Sequence, residues 1–163
     1  MKDEFTEKCY WGGGNYVKWN ENILYQLGMT RRDIKTLSCL GLPEWAAPNI
    51  YFDHFDVSEN LLKIGEDRED RDICINLNNF NVVIGGENQF INKNVELFRM
   101  ALSEYAIMVE SSIRISESLF VENKIPAQLV DDFMTRLKNI DELSVREGCF
   151  WHSEYMRIRS LDN

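Results

Sequence analysis

The chain of 163 residues carries a net charge of −9, from 27 acidic and 18 basic residues. This balance disfavours a broad nucleic-acid-binding surface, because phosphate binding requires clustered Lys and Arg. It suits solubility, and it also suits a basic protein partner, since opposite potentials speed encounter. The hydrophobic fraction of 44% and the aromatic fraction of 12% indicate a globular protein, and this length predicts one domain over residues 1–163.

The cysteines and the apolar runs bear on cofactors and localisation. The four cysteines are widely spaced and form no C-x-x-C pair, which predicts no zinc site; they are Cys9, Cys39, Cys74 and Cys149. The sequence after Met1 has no apolar signal-peptide region, and no run approaches the roughly 20 apolar residues of a membrane-spanning helix. We therefore expect a cytoplasmic protein with free thiols, no cofactor, no metal and no membrane association.

The first twenty residues are expected to form a loosely ordered N-terminal segment. Gly12-Gly13-Gly14 follows two aromatic residues, and three consecutive glycines favour a loop. A glycine-rich loop can cradle phosphate, but this one lacks the Lys-Ser/Thr pair that would follow it in such a site. The pattern therefore favours a plain turn.

Two short helices are predicted next. Asn20 to Leu27 has apolar residues on one side, and Gly28 is a typical stop signal. Thr30 then caps a second helix, with Asp33 as its acidic partner in the first turn. That helix is expected to end at Gly41-Leu42-Pro43, because proline disfavours a helical conformation in the residue before it.

The middle of the chain predicts a sheet. Short runs of apolar, aromatic and β-branched residues alternate with turn residues. The connections are too short for crossover helices, so the pairing is predicted to be an antiparallel meander of hairpins. The predicted strands are Asn49 to Asp53, Leu61 to Ile64, Asp72 to Leu77, Phe80 to Ile84 and Gln89 to Asn92.

Helices are predicted again in the C-terminal part. From Asn94 the apolar period changes from two to about 3.6, which predicts a long helix capped by Asn92 or Asn94. Further helices are predicted after Pro126, a residue tolerated in a first helical turn, and after Gly148. Strands flanked by N-terminal and C-terminal helices predict an α+β fold, a single domain with a central, mainly antiparallel sheet.

The order of several short motifs resembles the SUKH superfamily over residues 30–158. The motifs are Gly41-Leu42-Pro43-Glu44, Leu62-Lys63-Ile64-Gly65, Asp72-Ile73-Cys74-Ile75-Asn76, Val82-Val83-Ile84, Phe90-Ile91-Asn92, the helix from Val95 and Gly148-Cys149-Phe150-Trp151. The resemblance implies a SUKH-like α+β domain. It also implies a bacterial immunity protein that binds and neutralises a co-encoded toxin, often a nuclease or deaminase. Some members of the family act instead in cellular regulation through protein contacts, so a regulatory scaffold is the alternative.

One candidate interface is the acidic loop, residues Gly65 to Asp72. Its carboxylates are candidates for an acidic finger that enters a basic toxin cleft and mimics nucleic-acid phosphates; they are Glu66, Asp67, Glu69 and Asp70. A calcium-binding pattern is absent. The alternative is a solvated hairpin loop in which Arg68 and Arg71 pair locally, each pair contributing about 0–1 kcal/mol.

Further candidates lie just before this loop. Asp56 and Trp45 complete the predicted partner-binding set, because tryptophan is enriched among interface anchors; partial burial in the core is the other expected place for Trp45. His54 lies between acidic residues and is a candidate base or metal ligand. Cys39 or Cys149 with a histidine would be a candidate nucleophile. No local signature supports either chemistry, so no catalytic residue is predicted and a small enzyme using His54 is the third hypothesis.

Overall fold

The fold is known from a computed structural model that describes residues 15–122 and 124–161, without the side chain of Phe120. Of the N-terminal segment 1–20, the described part starts at Asn15. Tyr16 and Val17 pair with Pro43 and Leu42, and Trp19 is buried. The predicted glycine turn at residues 12–14 and Cys9 lie outside the described residues.

Antiparallel strands form the centre of the fold. The strands are β1 Tyr16–Val17, β2 Leu42–Pro43, β3 Trp45–Ala46, β4 Ile50–Phe52, β5 Val57–Ser58, β6 Leu61–Glu66, β7 Asp72–Asn76, β8 Val82–Ile84 and β9 Gln89–Asn92. Seven of them make one sheet with the order β3-β4-β6-β7-β8-β9, in which β5 also pairs with β6, and β1 and β2 form a separate pair. Every pairing described is antiparallel.

Helices precede and follow this sheet in the sequence, so the predicted α+β architecture with a meander is confirmed. The helices are α1 Glu21–Gln26, α2 Arg31–Ile34, α3 Val95–Ile115, α4 Glu117–Val121, α5 Ala127–Ile140 and α6 Phe150–Ser160. A π-helical turn, residues Lys35–Leu40, directly continues α2, and a 3₁₀ turn, Glu142–Val145, follows α5.

Side-chain caps explain where three of these helices begin, and two of them, Thr30 and Asn94, are among the predicted caps. The Asn20 side chain accepts hydrogen bonds from the backbone N–H groups of Asn22 and Ile23 in α1. Thr30 Oγ1 accepts one from Asp33 N at 3.2 Å in α2. Asn94 Oδ1 accepts one from Leu97 N at 2.9 Å. Of the two candidate caps, Asn92 and Asn94, it is therefore Asn94 that caps α3. Each cap satisfies backbone donors that have no partner within the helix.

The two faces of the sheet differ. Ile73 and Ile75 of β7 belong to the main core. Their neighbours along the strand project to the other face of the sheet, because a strand has a period of two. A bulge between Lys63 and Gly65 shifts the pairing of β6 with β7. On the far side of that bulge the outer face carries Glu66 opposite Asp72, so this face becomes charged towards the loop that joins β6 and β7.

Aromatic side chains join the sheet to the helices. Trp151 of α6 is fully buried, and its ring centroid lies 5.8 Å from that of Phe133 in α5 and 6.0 Å from that of Tyr105 in α3. Phe98 of α3 lies 5.9 Å from Phe52 of β4. This aromatic cluster fixes α6 against α3 and α5, and α3 against the sheet.

Gly65 is expected to be required for the pairing of β4 with β6. A Cβ atom at this position would overlap the Tyr51 carbonyl oxygen and lie 2.9 Å from the Phe52 ring. Gly65→Ala is therefore expected to lower the free energy of unfolding by about 2 kcal/mol, as overpacking does. Urea denaturation followed by circular dichroism measures this. Gly86→Ala is the matched control, because an added Cβ there meets nothing within 4 Å; equal losses in both variants would contradict the account.

Candidate functional site

A row of polar and aromatic side chains crosses the outer face of the sheet. Tyr51 of β4 is the register partner of Glu66 in β6, and Glu66 is the partner of Asp72 in β7. Directly paired residues of antiparallel strands project on the same side. Tyr51 remains 58% exposed, which is high for an aromatic residue at the centre of a strand, so this face is open to contact.

An acidic cleft lies at the end of this row. We use this name for a cavity of about 290 Å³ whose charged lining residues, among those the structure describes, are all carboxylates. The Asp53 side chain is 77% exposed. Aromatic side chains form the walls beside these carboxylates. The lining residues are Val17, Glu44, Tyr51, Phe52, Asp53, Phe55 and Glu66.

Lys63 holds one side of the acidic cleft in place. Its Nζ contacts Glu66 Oε1 at 2.5 Å and Asp72 Oδ1 at 2.9 Å, and it lies 4.2 Å from the centroid of the Phe55 ring. The hydrogen bonds to Glu66 and Asp72 raise the pKa of Lys63. Lys63 thus compensates Glu66 but leaves Glu44 and Asp53 as the cleft's exposed carboxylates.

The acidic loop is a tied hairpin in which Asp67 points inward. Asp67 is only 4% exposed, and its Oδ1 accepts hydrogen bonds from the backbone N–H groups of Glu69 and Arg71 at 2.9 and 3.0 Å. Its Oδ2 accepts from the Arg71 guanidinium at 2.7 Å. Asp67 therefore closes the loop, whereas Glu69 and Asp70 remain exposed at its tip.

The two arginines of the acidic loop have different partners. Arg71 pairs within the loop, with Asp67, and across to Glu87 at 3.2 Å. Arg68 instead reaches α6, where its Nη2 donates to both carboxylate oxygens of Glu154, at 2.8 and 2.7 Å. This contact joins residues 86 positions apart, so the loop is fixed to the helical layer rather than free to extend as a finger.

Glu154 is the centre of a buried charged network that sequence reasoning missed. It also accepts hydrogen bonds from Tyr105 Oη at 2.8 Å and from Arg157 Nη2 at 2.5 Å. Burial, together with the neighbouring Glu154 charge, raises the pKa of Tyr105 well above its usual value, so the phenol keeps its proton and donates. The sequence signal for Glu154 was its place in α6 one turn before Arg157, on the side that carries Trp151 and Ile158.

The other predicted interface residues lie apart from one another. Asp56 is exposed in the segment between β4 and β5, next to Phe55 of the acidic cleft. Trp45 is half-buried on the edge strand β3 and lines a different cavity together with Arg68 and Arg157. The structure thus brings Glu66 to the acidic cleft and places Glu69 and Asp70 at the loop tip. Trp45 is the register partner of Tyr51 but lines the other cavity.

His54 is tied to the backbone of the N-terminal segment. Its Nε2 lies 2.7 Å from the Lys18 carbonyl oxygen, and since a carbonyl only accepts, this nitrogen carries a hydrogen. Its ring packs edge-on against Trp19, with centroids 5.2 Å apart. The contact anchors the start of the described chain beside the acidic cleft.

The described cysteines do not form disulfide bonds. Cys39, Cys74 and Cys149 are free thiols. Burial, with a smaller effect of the Asp72 charge, raises the pKa of Cys74 to about 11, so this thiol stays protonated at neutral pH. Within residues 15–122 and 124–161, no group of three or more His, Cys, Asp or Glu side chains is arranged to hold a metal ion. None of the helices in these ranges combines the length and apolar character needed to cross a membrane.

Comparisons with protein-family models, with curated proteins and with solved structures found no match to this chain.

Proposed function

We propose that this protein is an immunity protein, a stoichiometric inhibitor that binds a toxin domain encoded beside it and neutralises that toxin by protein contact in the cytoplasm. The proposal joins two independent supports. The motifs from Gly41 to Trp151 resemble the SUKH superfamily, and the outer face of the sheet carries an acidic cleft with aromatic walls. The partner is a basic toxin domain, such as a nuclease or a deaminase.

The acidic cleft is the observation that supports the proposal best. It combines carboxylates with the exposed ring of Tyr51 and the ring of Phe55. An Arg or Lys side chain of a partner would pair with Glu44 and Asp53 and cover them from water, while its aliphatic stem would pack on the rings. Such desolvated charged anchors in aromatic pockets are typical of interface hot spots.

The acidic loop is expected to assist this contact from the side. Glu69 and Asp70 are exposed and lie in the loop that follows Glu66 of the cleft. Exposed rim charges raise the rate of association more than the affinity, because solvent and salt screen them. The loop tip therefore steers a basic partner towards the cleft, and the cleft holds it.

Co-expression tests the proposed function. The protein encoded next to this chain is expected to stop growth when expressed alone in a bacterial host. Co-expression of this chain is expected to restore growth, and the two proteins are expected to co-purify as a one-to-one complex. Binding should weaken as ionic strength rises from about 0.05 M to about 0.5 M, because the Debye length shortens.

Two results would contradict the proposal. If the neighbour is toxic and this chain neither restores growth nor binds it, the immunity function is wrong. If this chain binds its neighbour but leaves its toxicity unchanged, a regulatory scaffold explains the contact instead. A toxin carrying an inactivating substitution in its own active site is the control, since it should bind equally well without affecting growth.

A further inference from the structure

A second cavity, which Arg68 of the acidic loop helps to line, has the reverse charge. We call it the basic cleft. It has a volume of about 220 Å³, and its charged lining residues, among those described, are Arg68 and Arg157 alone. Its remaining walls are mostly apolar or aromatic. The residues that bear on its chemistry are Trp45, Pro48, Arg68, Val109, Arg157 and Ile158.

The charge at the floor of the basic cleft is not balanced. Arg68 and Arg157 share the single carboxylate of Glu154, so two guanidinium groups and one carboxylate leave one positive charge. The carboxylates of Asp67 and Glu69 in the acidic loop pair with Arg71 instead. A positive charge that is partly removed from water favours an anion beside it.

Both guanidinium groups are held in place and still have donors to offer. Arg68 contacts Glu154 through Nη2 alone, so its Nε and Nη1 make no hydrogen bond to any described residue. Arg157 uses Nε and Nη2 on Glu154, which leaves its Nη1. The side chains are 29% and 39% exposed, so a ligand in the cleft can reach these donors. Because Glu154 already holds both arginines, binding costs little side-chain entropy.

We propose that the basic cleft binds a small organic acid, a monocarboxylate with an aromatic or aliphatic body. The carboxylate accepts hydrogen bonds from Arg68 and Arg157, in the paired geometry that guanidinium groups favour. The body packs against Trp45, Val109 and Ile158. The cavity is smaller than the range of about 300–1,000 Å³ that is usual for drug-sized ligands, which limits the ligand to a small acid. The basic cleft shares no lining residue with the acidic cleft, so the inference does not depend on the proposed function.

Isothermal titration calorimetry on the full chain tests the proposal, with phenylbutyrate and octanoate as probes. Each probe has a neutral match of the same shape, phenylbutanol and octanol. The acids are expected to bind with Kd on the order of 0.1 mM, the affinity typical of small efficient ligands. The alcohols are expected to bind at least about tenfold more weakly, because they lose the charge-assisted hydrogen bonds. Equal affinities for acids and alcohols, or no binding of either acid up to about 10 mM, would overturn the proposal.

Two substitutions separate a charged site from a merely structural network. Arg157→Gln removes the unbalanced charge and is expected to weaken acid binding about tenfold. Glu154→Gln keeps a polar acceptor but adds one positive charge, so it is expected to strengthen acid binding severalfold. Lys138→Gln, an exposed cation on α5, is the control and should change nothing.

Arg157→Gln and Glu154→Gln are expected to change the affinity for the acids in opposite directions, and this difference distinguishes a charged binding site from a structural network. A network that only stabilises the fold would be weakened by either change, and both variants would then lose acid binding together. Circular dichroism spectra and urea midpoints of the three variants report whether each is folded. A parallel loss in folded Arg157→Gln and Glu154→Gln would overturn the proposal.

Discussion

Trp151→Ala is expected to lower the free energy of unfolding by about 5 kcal/mol, the largest effect of any single substitution considered. Removal of a large buried aromatic side chain costs about 3–5 kcal/mol in lost burial and cavity formation. Trp151 is also a hydrogen-bond donor, since its Nε1 lies 2.9 Å from Asn92 Oδ1. Loss of that donor leaves a buried amide oxygen without a partner and adds about 1–3 kcal/mol.

This hydrogen bond is part of a chain that joins three elements. Asn92 at the end of β9 donates through Nδ2 to Asp141 Oδ2 at 3.1 Å, and the same oxygen accepts from Lys93 N at 2.8 Å. Asp141 follows the last residue of α5. Trp151 therefore connects α6 to the sheet and to α5 at once, which explains why its truncation is expected to affect the whole domain.

Urea denaturation followed by far-UV circular dichroism measures this effect. A domain of this kind has a total stability of about 5–15 kcal/mol, so Trp151→Ala is expected to be largely unfolded or close to it. Trp151→Phe keeps an aromatic ring and should lose only about 2 kcal/mol, mostly the hydrogen bond. Met156→Ala, at a side chain 55% exposed on the same helix, should change stability by less than about 0.5 kcal/mol. A loss below about 2 kcal/mol in Trp151→Ala would contradict the role assigned to this residue.

The sequence predicted most of the strands and long helices because their signals are local. Alternation in β7 and the change of period after Asn94 follow directly from how side chains project in strands and helices. The Thr30 and Asn94 caps are also local, since each side chain satisfies a backbone N–H three residues later. Such features depend on few residues and need no knowledge of the tertiary contacts.

The details of the candidate site depended on contacts that a local pattern does not contain. Nothing in the sequence distinguishes the acidic residues of the loop from one another. Asp67 is nevertheless buried, because it accepts hydrogen bonds from Arg71 and from two backbone N–H groups of the hairpin. Arg68 leaves the loop for Glu154, far away in the chain. Glu44 and Asp53 share one cleft only because β3, β4 and β6 lie side by side. The predicted interface therefore named acidic residues near the cleft but not the cleft itself.

The pairing of β1 with β2 was also absent from the sequence prediction. Each strand has only two residues, too few to show an alternation. The π-helical turn at Lys35–Leu40 ends at Gly41, whose φ of 77° lies in the left-handed region that glycine adopts readily. The sequence predicts the end of this helix at Gly41-Leu42-Pro43 from the proline, but the wider helical turn before Gly41 gives no separate pattern.

The second large effect is expected at the acidic cleft. Glu44→Lys with Asp53→Lys reverses the two exposed carboxylates that Lys63 does not compensate. A basic side chain of the toxin would then face two like charges in a partly desolvated pocket. Disruption of one buried charge pair at an interface costs about 2–5 kcal/mol, so toxin affinity is expected to fall by at least about a hundredfold. Both side chains are exposed, so the domain itself should remain folded.

Two matched double reversals make this result specific to the cleft. Glu69→Lys with Asp70→Lys changes the loop tip by the same charge. It should slow association more than it lowers affinity, because those carboxylates lie at the rim. Glu142→Lys with Glu147→Lys changes exposed carboxylates near the start of α6 and should leave affinity within about twofold of the unmodified protein once long-range charge is screened by salt.

Calorimetric titration of the purified toxin domain, made inactive by a substitution in its own active site, into these three variants and the unmodified protein tests the central claim most directly. The cleft reversal is expected to weaken binding by at least about a hundredfold, while the loop reversal loses much less affinity and the remote reversal binds normally. Unchanged affinity in the folded cleft variant would contradict the assignment of the outer face of the sheet as the docking surface.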